Sequence, residues 1–87
     1  MYHFVYLIVT RNKQKIISYV GYSTNVLARL YKHNASKGAK ATKGYKWKII
    51  YKKRFLSKSK ALSFEYKLKK DRKKRKLILN DFNKSKN

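Results

Sequence analysis

The sequence predicts a small α/β domain in which a central antiparallel sheet of three strands is flanked by helices. Three segments are rich in β-branched and aromatic residues, and two other segments repeat apolar residues at helical spacing, one before and one after the third strand. The chain has 87 residues, of which 43% are hydrophobic, so it can form one modest core and has no room for a separate cofactor domain.

The first two strands are expected to form a β-hairpin. Residues 2–10 are almost all β-branched, aromatic or aliphatic, which is typical of a strand buried on both faces. A short polar turn at residues 11–13 separates them from residues 14–21, a second run of strand-forming residues that ends at Gly21. Such a short connection favours antiparallel pairing.

The remaining elements complete the order β-β-α-β-α. Capping residues at 23–25 precede apolar residues at helical spacing, which predicts a first helix over residues 25–34. Residues 35–46 are small, polar and basic and are expected to form a loop. Residues 47–55 resemble a third strand, and Ser57 or Ser59 can cap a second helix that continues to about Lys70.

The C-terminal segment predicts less regular structure. A basic run at residues 72–76 precedes Leu77, Ile78 and Leu79, which favour a short third helix, with Asp71 as its cap. Residues 83–87 are expected to be a frayed tail. Residues 1–82 therefore form the one predicted domain.

The charge of the chain indicates a polyanionic partner. Lysine and arginine number 25 against three acidic residues, giving a formal net charge of +22. Nucleic acid fits this charge best, and a membrane surface fits less well because the basic residues are not confined to one amphipathic helix. The chain has no cysteine, which excludes a disulfide framework and a thiolate zinc module. We expect an intracellular protein, in the cytoplasm or, in a eukaryote, the nucleus.

One acidic residue lies at an unusual position. Glu65 falls inside the apolar arc of the second helix when residues are spaced by about 100°. A buried carboxylate needs a partner, so Glu65 either forms a salt bridge with a lysine or Arg29, or holds a metal ion or takes part in catalysis. The other two acids, Asp71 and Asp81, are interpreted as structural.

Two tripeptides and three later residues resemble a known family. Phe4-Val5-Tyr6 and Tyr19-Val20-Gly21 lie in the two hairpin strands, Arg29 and His33 follow in the first helix, and Glu65 lies in the second. This order resembles the GIY-YIG nuclease family over about residues 2–75. The chain looks most like the small members in which the nuclease domain is the entire protein. It departs from the family at Phe4-Val5 and Val20, which leave both tyrosines intact.

The resemblance implies an active site and a cofactor. The active-site residues that it implies are Tyr6, Tyr19, Arg29, His33 and Glu65. It further implies that Gly21 permits a close turn after the second strand and that Glu65 binds Mg²⁺ or Mn²⁺. The reaction would then be metal-dependent hydrolysis of a DNA phosphodiester bond.

The residue types suit this chemistry when they are considered one by one. Arginine binds phosphate oxygens with two parallel donors, and Arg29 lies one helical turn from His33, so both can address one phosphate. Surrounding positive charge favours the phenolate form of tyrosine, so either Tyr6 or Tyr19 is a candidate general base, with His33 assisting proton transfer. Without the family pattern, both tyrosines would be interpreted as packing residues.

The basic residues are expected to bind the DNA backbone and not to read bases. The candidate contacts are Lys37, Lys40, Lys43, Lys46, Arg72 and Lys73. No base-reading module is present, which favours recognition of shape, such as branched or flapped DNA. The alternative is a basic protein that binds DNA or RNA without cleaving it. A ribosomal-type RNA structural protein also fits the charge, but it leaves Glu65 unexplained.

Overall fold

The computed structural model describes residues 1–85 and confirms the predicted α/β fold. The strands are β1 (His3–Asn12), β2 (Lys15–Ser23) and β3 (Lys48–Phe55), and the helices are α1 (Val26–Asn34), α2 (Lys58–Lys70) and α3 (Arg72–Ser85). A short 3₁₀ helix, Lys40–Thr42, lies in the loop before β3. No helix within residues 1–85 is long and apolar enough to cross a membrane.

The sheet has the strand order β2-β1-β3, with β1 antiparallel to both neighbours. The central position of β1 explains its apolar composition, because residues 5–10 are all buried. In the β1–β2 register, Tyr6 is opposite Gly21 and Ile8 is opposite Tyr19. Directly opposed residues share one face of an antiparallel sheet, so these four positions lie on the same side.

Helices cover one face of the sheet, which we call the helix-packed face (Val5, Leu7 and Val20). These buried residues form a core with Ala61 and Leu68 of α2. The apolar residues of α2 recur at helical spacing, which turns this stripe towards the sheet.

The opposite face, which we call the tyrosine face (Tyr6, Ile8 and Tyr19), has its own smaller core. Val26 at the start of α1 and Trp47 just before β3 pack against Tyr6 and Ile8. Asn25 caps α1, since its side chain accepts the backbone N–H of Ala28 at 3.1 Å. This cap fixes where α1 begins and therefore which of its side chains reach the tyrosine face.

The C-terminal helix is longer than the sequence predicted. It runs from Arg72 to Ser85, so the expectation of a short helix is wrong, and it extends into the segment expected to fray, of which residues 86 and 87 lie outside the described residues. Asp71 caps the helix as expected, accepting the backbone N–H of Lys74 at 3.0 Å. Arg75 bonds the carbonyl of Leu68 at the end of α2, which ties the two helices together.

The basic loop, residues 35–46, is anchored at both ends. The side chain of Asn34 accepts the backbone N–H of Trp47 and donates to its carbonyl oxygen. The indole Nε1 of Trp47 donates to the carbonyl oxygen of Thr42 at 2.9 Å. A loop without apolar periodicity is thus held in one conformation by side-chain hydrogen bonds, which a search for periodic patterns cannot detect.

Candidate active site

Tyr6 lies in the middle of β1, and Gly21 makes the space for its ring. The Tyr6 side chain is buried, and a Cβ atom at Gly21 would lie 2.3 Å from both Cζ and Oη of the tyrosine. Gly21 lies inside β2, which continues to Ser23, so the expectation that it ends the strand and permits a turn is wrong. Because Gly21 has no side chain, the Tyr6 ring can lie across β2 at this position.

Tyr6 begins a chain of three hydrogen bonds on the tyrosine face. Its hydroxyl lies 2.8 Å from Nε2 of His33, and Nδ1 of His33 lies 2.8 Å from the hydroxyl of Thr42. The Thr42 hydroxyl in turn donates to the carbonyl oxygen of Ala39 at 2.8 Å. His33 and Thr42 are both completely buried, so water does not compete for the bond between them.

The last bond sets the direction of the others. A carbonyl oxygen only accepts, so the single proton of the Thr42 hydroxyl is committed to Ala39. Thr42 must therefore accept from His33, which places the imidazole proton on Nδ1. In the neutral ring Nε2 then carries a lone pair and accepts the proton of Tyr6.

Burial shifts the pKa values of both rings towards their neutral forms. Burial lowers the pKa of His33, and the positive charge of Arg29 lowers it further. Burial also raises the pKa of Tyr6 and outweighs the opposing effect of Arg29. Burial therefore favours the neutral form of Tyr6, whereas the surrounding positive charge alone would favour the phenolate.

Tyr19 completes the ring cluster from the strand beside Tyr6. Its ring meets the His33 ring edge-on, with centroids 5.2 Å apart, and it meets Trp47 at 6.4 Å. Tyr19 is half-buried, whereas Tyr6 and His33 are almost fully enclosed. The two predicted active-site tyrosines thus both contact the same histidine, but only Tyr6 hydrogen-bonds to it.

Arg29 lies beside this cluster, and within residues 1–85 one of its hydrogen-bond donors has no acceptor. It lies one helical turn before His33 on α1, and its charge acts on both Tyr6 and His33. The Nε atom is buried and has no hydrogen-bond partner within residues 1–85. A buried donor without a partner is costly, which marks Arg29 as a candidate anion-binding residue.

Glu65 lies on α2, the helix that packs against the helix-packed face. Its side chain is 18% exposed, and Oε2 lies 3.6 Å from Nζ of Lys69, one turn along the helix. The lysine salt bridge considered from the sequence is therefore present. Burial is the main cause of the raised pKa of Tyr6, and the charges of Tyr19 and then Glu65 raise it further.

A hard cation bound at Glu65 would have this single carboxylate as its protein ligand. Within residues 1–85 no three histidine, cysteine, aspartate or glutamate side chains come together as a metal cage. Mg²⁺ is commonly held by one or two carboxylates, with water and substrate phosphate as further ligands. Asp71 caps α3 and Asp81 is exposed on that helix, so neither joins the site.

The comparison with known families decides where the chain belongs. The pattern that defines the GIY-YIG catalytic domain matches residues 2–78. The chain belongs to the GIY-YIG family. This is a nuclease family whose members act on DNA, which agrees with the basic composition of the chain.

Several relatives of this GIY-YIG chain are small proteins of similar length. It is 43% identical over 68 residues to a UPF0213 protein of Staphylococcus haemolyticus, covering 77% of this chain and 79% of the relative. A UPF0213 protein of Staphylococcus aureus is 37% identical over 78 residues, covering 88% and 92%. The solution NMR structure of UPF0213 protein BH0048 from Bacillus halodurans is similar at a TM-score of 0.51 and 34% identity, covering 92% of this chain and 84% of that one.

The predicted DNA contacts of the GIY-YIG domain fall on two sides of the sheet. Lys37, Lys40 and Lys43 are exposed on the basic loop that covers His33. Arg72 and Lys73 instead line a cleft of about 880 Å³ together with Leu7 and Val9, on the helix-packed face. Lys46 lines a second cleft at the end of the sheet. The structure does not bring these six residues into one surface.

Sequence reasoning missed two residues of this GIY-YIG site, Thr42 and Gly38. Thr42 bonds His33, and a Cβ atom at Gly38 would lie 2.6 Å from Nδ1 of His33. Both belong to a lysine-rich loop, where neither a threonine nor a glycine differs from its neighbours in any periodic pattern. Their roles depend on how the loop folds back on α1.

Proposed function

We propose that this GIY-YIG chain is an endonuclease that hydrolyses phosphodiester bonds of DNA with a divalent cation held at Glu65. The observation that carries the proposal is the directional hydrogen-bond chain from Tyr6 through His33, next to an arginine with a free buried donor. A proton acceptor and an anion-binding group beside each other are two requirements of phosphodiester hydrolysis.

Arg29 is the residue that we assign to the scissile phosphate. Its guanidinium is charged at all relevant pH values and offers donors in a planar fork. An oxygen of the phosphate would accept from the guanidinium, since Arg29 as a whole is only partly buried. As negative charge grows on the phosphate oxygens in the transition state, this contact strengthens, which lowers the barrier and not only the dissociation constant.

Tyr6 and His33 act together as the general base in this proposal. An attacking water gives its proton to the Tyr6 oxygen while the Tyr6 proton moves to Nε2 of His33. Tyr6 is neutral before and after the transfer, which agrees with burial raising its pKa. His33 begins neutral, because burial lowers its pKa, and ends as the imidazolium.

Glu65 is the residue that would hold Mg²⁺ or Mn²⁺. When bound, this cation supplies positive charge to a phosphate oxygen and favours departure of the 3′-oxygen. The carboxylate can serve this role because its protein partner, Lys69, is itself half exposed and is free to move away.

The placement of the basic residues supports branched or flapped DNA as the substrate. Lys37, Lys40 and Lys43 lie beside the site, whereas Arg72 and Lys73 lie across the sheet in a molecule of only 37 × 28 × 24 Å. A duplex seated on the basic loop leaves the α3 surface free to contact a second arm of the same DNA. Such contacts with phosphates select shape and carry no base sequence.

A cleavage panel tests this function. Labelled duplex, single-stranded, flapped and four-way-junction DNA are incubated with wild type, Glu65→Gln or Asp81→Asn, in Mg²⁺ or EDTA at one fixed salt concentration. We expect products only in Mg²⁺, with flapped or branched DNA preferred, loss of products in Glu65→Gln, and wild-type rates in the exposed control Asp81→Asn. A folded wild type that binds every substrate and cleaves none would refute the proposal and favour a non-catalytic nucleic-acid-binding protein.

A further inference from the structure

We propose that Thr42 is a positioning residue that fixes the tautomer of His33 and so keeps Nε2 free to accept the proton of Tyr6. The consequence for cleavage rests on the proposed nuclease function, but the tautomer itself does not. Thr42 touches neither the phosphate nor the tyrosine. It acts through the histidine.

Because the contact between Thr42 and His33 is buried, the Thr42 hydroxyl determines which nitrogen of His33 carries the proton. Thr42 and His33 are both 0% exposed, and their hydroxyl and Nδ1 atoms are 2.8 Å apart. Gly38 packs against the same edge of the imidazole, where even a Cβ atom would lie 2.6 Å from Nδ1. Little space therefore remains for a water molecule to replace the hydroxyl.

The loop holds the hydroxyl so that it accepts from His33 and does not donate to it. The 3₁₀ turn Lys40–Thr42 brings the carbonyl of Ala39 within 2.8 Å of the hydroxyl and within 3.0 Å of the Thr42 backbone N–H. Trp47 holds the far side of the residue by donating to its carbonyl oxygen. These bonds occupy the threonine proton and leave an oxygen lone pair for Nδ1–H.

The other tautomer would oppose the proposed reaction. With its proton on Nε2, His33 would donate to the Tyr6 oxygen and could not accept the tyrosine proton. Replacing Thr42 by valine keeps the shape but removes the acceptor, which would leave a buried Nδ1–H unsatisfied. The ring then gains by moving its proton to Nε2, where the Tyr6 oxygen accepts it. The valine variant should therefore invert the bond between the two rings.

Thr42→Val and Thr42→Ser form the matched pair for this test. Serine keeps the hydroxyl and loses a methyl group, whereas valine keeps the methyl and loses the hydroxyl. The chain has two histidines, so a His3→Gln background leaves His33 as the single imidazole, and ¹⁵N NMR of that ring reports which nitrogen carries the proton. DNA affinity and the single-turnover cleavage rate are measured on the same proteins.

We expect the proton on Nδ1 in the parent and in Thr42→Ser, and on Nε2 in Thr42→Val. Cleavage by Thr42→Val should fall roughly 10- to 100-fold, as for outer partners that orient ligating histidines, while DNA affinity stays unchanged and Thr42→Ser stays near the parent rate. A parent ring with its proton on Nε2 overturns the proposal, and so does a Thr42→Val protein that keeps both the Nδ1 proton and the parent rate.

Two further outcomes remain decisive. If Thr42→Val does not fold, as judged by circular dichroism, the parent tautomer decides: a proton on Nδ1 supports the assignment and one on Nε2 overturns it. If the parent cleaves no DNA but the tautomer moves with Thr42 as expected, the nuclease function is refuted while the positioning of His33 by Thr42 is supported.

Discussion

The molecule contains two histidine–tyrosine pairs of nearly equal hydrogen-bond length in very different surroundings. On the tyrosine face, Tyr6 and His33 are 2.8 Å apart, and both are buried. On the helix-packed side, Nδ1 of His3 lies 2.7 Å from the hydroxyl of Tyr22, with the rings stacked at 5.9 Å and both residues half-buried. Bond length alone does not distinguish them.

The difference lies in what surrounds each pair. The second nitrogen of His33 is bonded to Thr42, and an arginine with a free donor lies alongside, so proton position and anion binding are both defined. The His3–Tyr22 pair lies near the chain terminus, where Lys58 lies 5.9 Å from the centre of the Tyr22 ring and water reaches both side chains. A directional, enclosed network is what makes the first pair a candidate proton acceptor.

Replacing each histidine by alanine should give the largest difference in cleavage rate between the two pairs. His33→Ala is expected to reduce the single-turnover cleavage rate by about 100-fold or more, because it removes the proton acceptor. His3→Ala should leave the rate close to that of wild type. Equal losses in the two variants, with both proteins folded, would mean that the enclosed network has no special role.

Adding a side chain at Gly21, in the space beneath the Tyr6 ring, should have the next largest effect. Gly21→Ala places a methyl group 2.3 Å from the tyrosine ring, and overpacking of this kind costs about 1–3 kcal/mol of the free energy of unfolding. Because the ring must move, cleavage should fall as well. Ser18→Ala on the exposed part of the same strand is the control, and urea denaturation measures both. A Gly21→Ala protein with wild-type stability and activity would show that the close approach is unimportant.

Removing charge from the basic loop should weaken binding without affecting the chemical step. For Lys37, Lys40 and Lys43 changed together to glutamine, the slope of log K against log salt should decrease by about 0.9 for each lost phosphate contact. The single-turnover rate at saturating protein should hardly change. Lys60, Lys67 and Lys70 on α2, changed together, are the control of equal charge. An identical change in slope for both triples would mean that binding is not directed to the loop.

The pH dependence of stability should show the smallest effect. Because burial lowers the pKa of His33, the unfolded chain takes up a proton at higher pH than the folded protein does. The free energy of unfolding should therefore fall as the pH drops below about 6.5, the unfolded pKa, and stop falling below the folded pKa. His33→Asn should lose this component and His3→Asn should keep it. If His3→Asn loses the component and His33→Asn keeps it, the pH-sensitive group belongs to the His3–Tyr22 pair.

Much of the fold follows from local patterns, whereas parts of the site do not. The hairpin, the first two helices and the inward position of Glu65 depend on periodicity and capping, and the family resemblance predicts that Tyr6, Tyr19 and His33 share one site. The direction of the proton chain depends on Thr42, which reaches His33 only through the fold of the basic loop. The length of α3 was missed because its contacts to α2, such as those of Arg75, are tertiary.

The positions of the basic residues relative to the sheet could not be predicted from the sequence either. Lysines in the basic loop and basic residues at the start of α3 have the same composition, and nothing in a linear pattern assigns them to opposite sides of a sheet. The strand order β2-β1-β3 and the packing of α3 against the helix-packed face separate them. Whether six basic residues form one surface or two is therefore a property of topology.

The most direct test of the account compares Tyr6→Phe with Tyr22→Phe, since each change removes one hydroxyl from one histidine–tyrosine pair. Cleavage of flapped DNA in Mg²⁺ is measured at one salt concentration for both variants and wild type, together with DNA affinity. We predict unchanged affinity in both, a loss of about 100-fold or more in Tyr6→Phe, and a rate near wild type in Tyr22→Phe. Equal rates in the two variants, or a wild type that binds without cleaving, would contradict it.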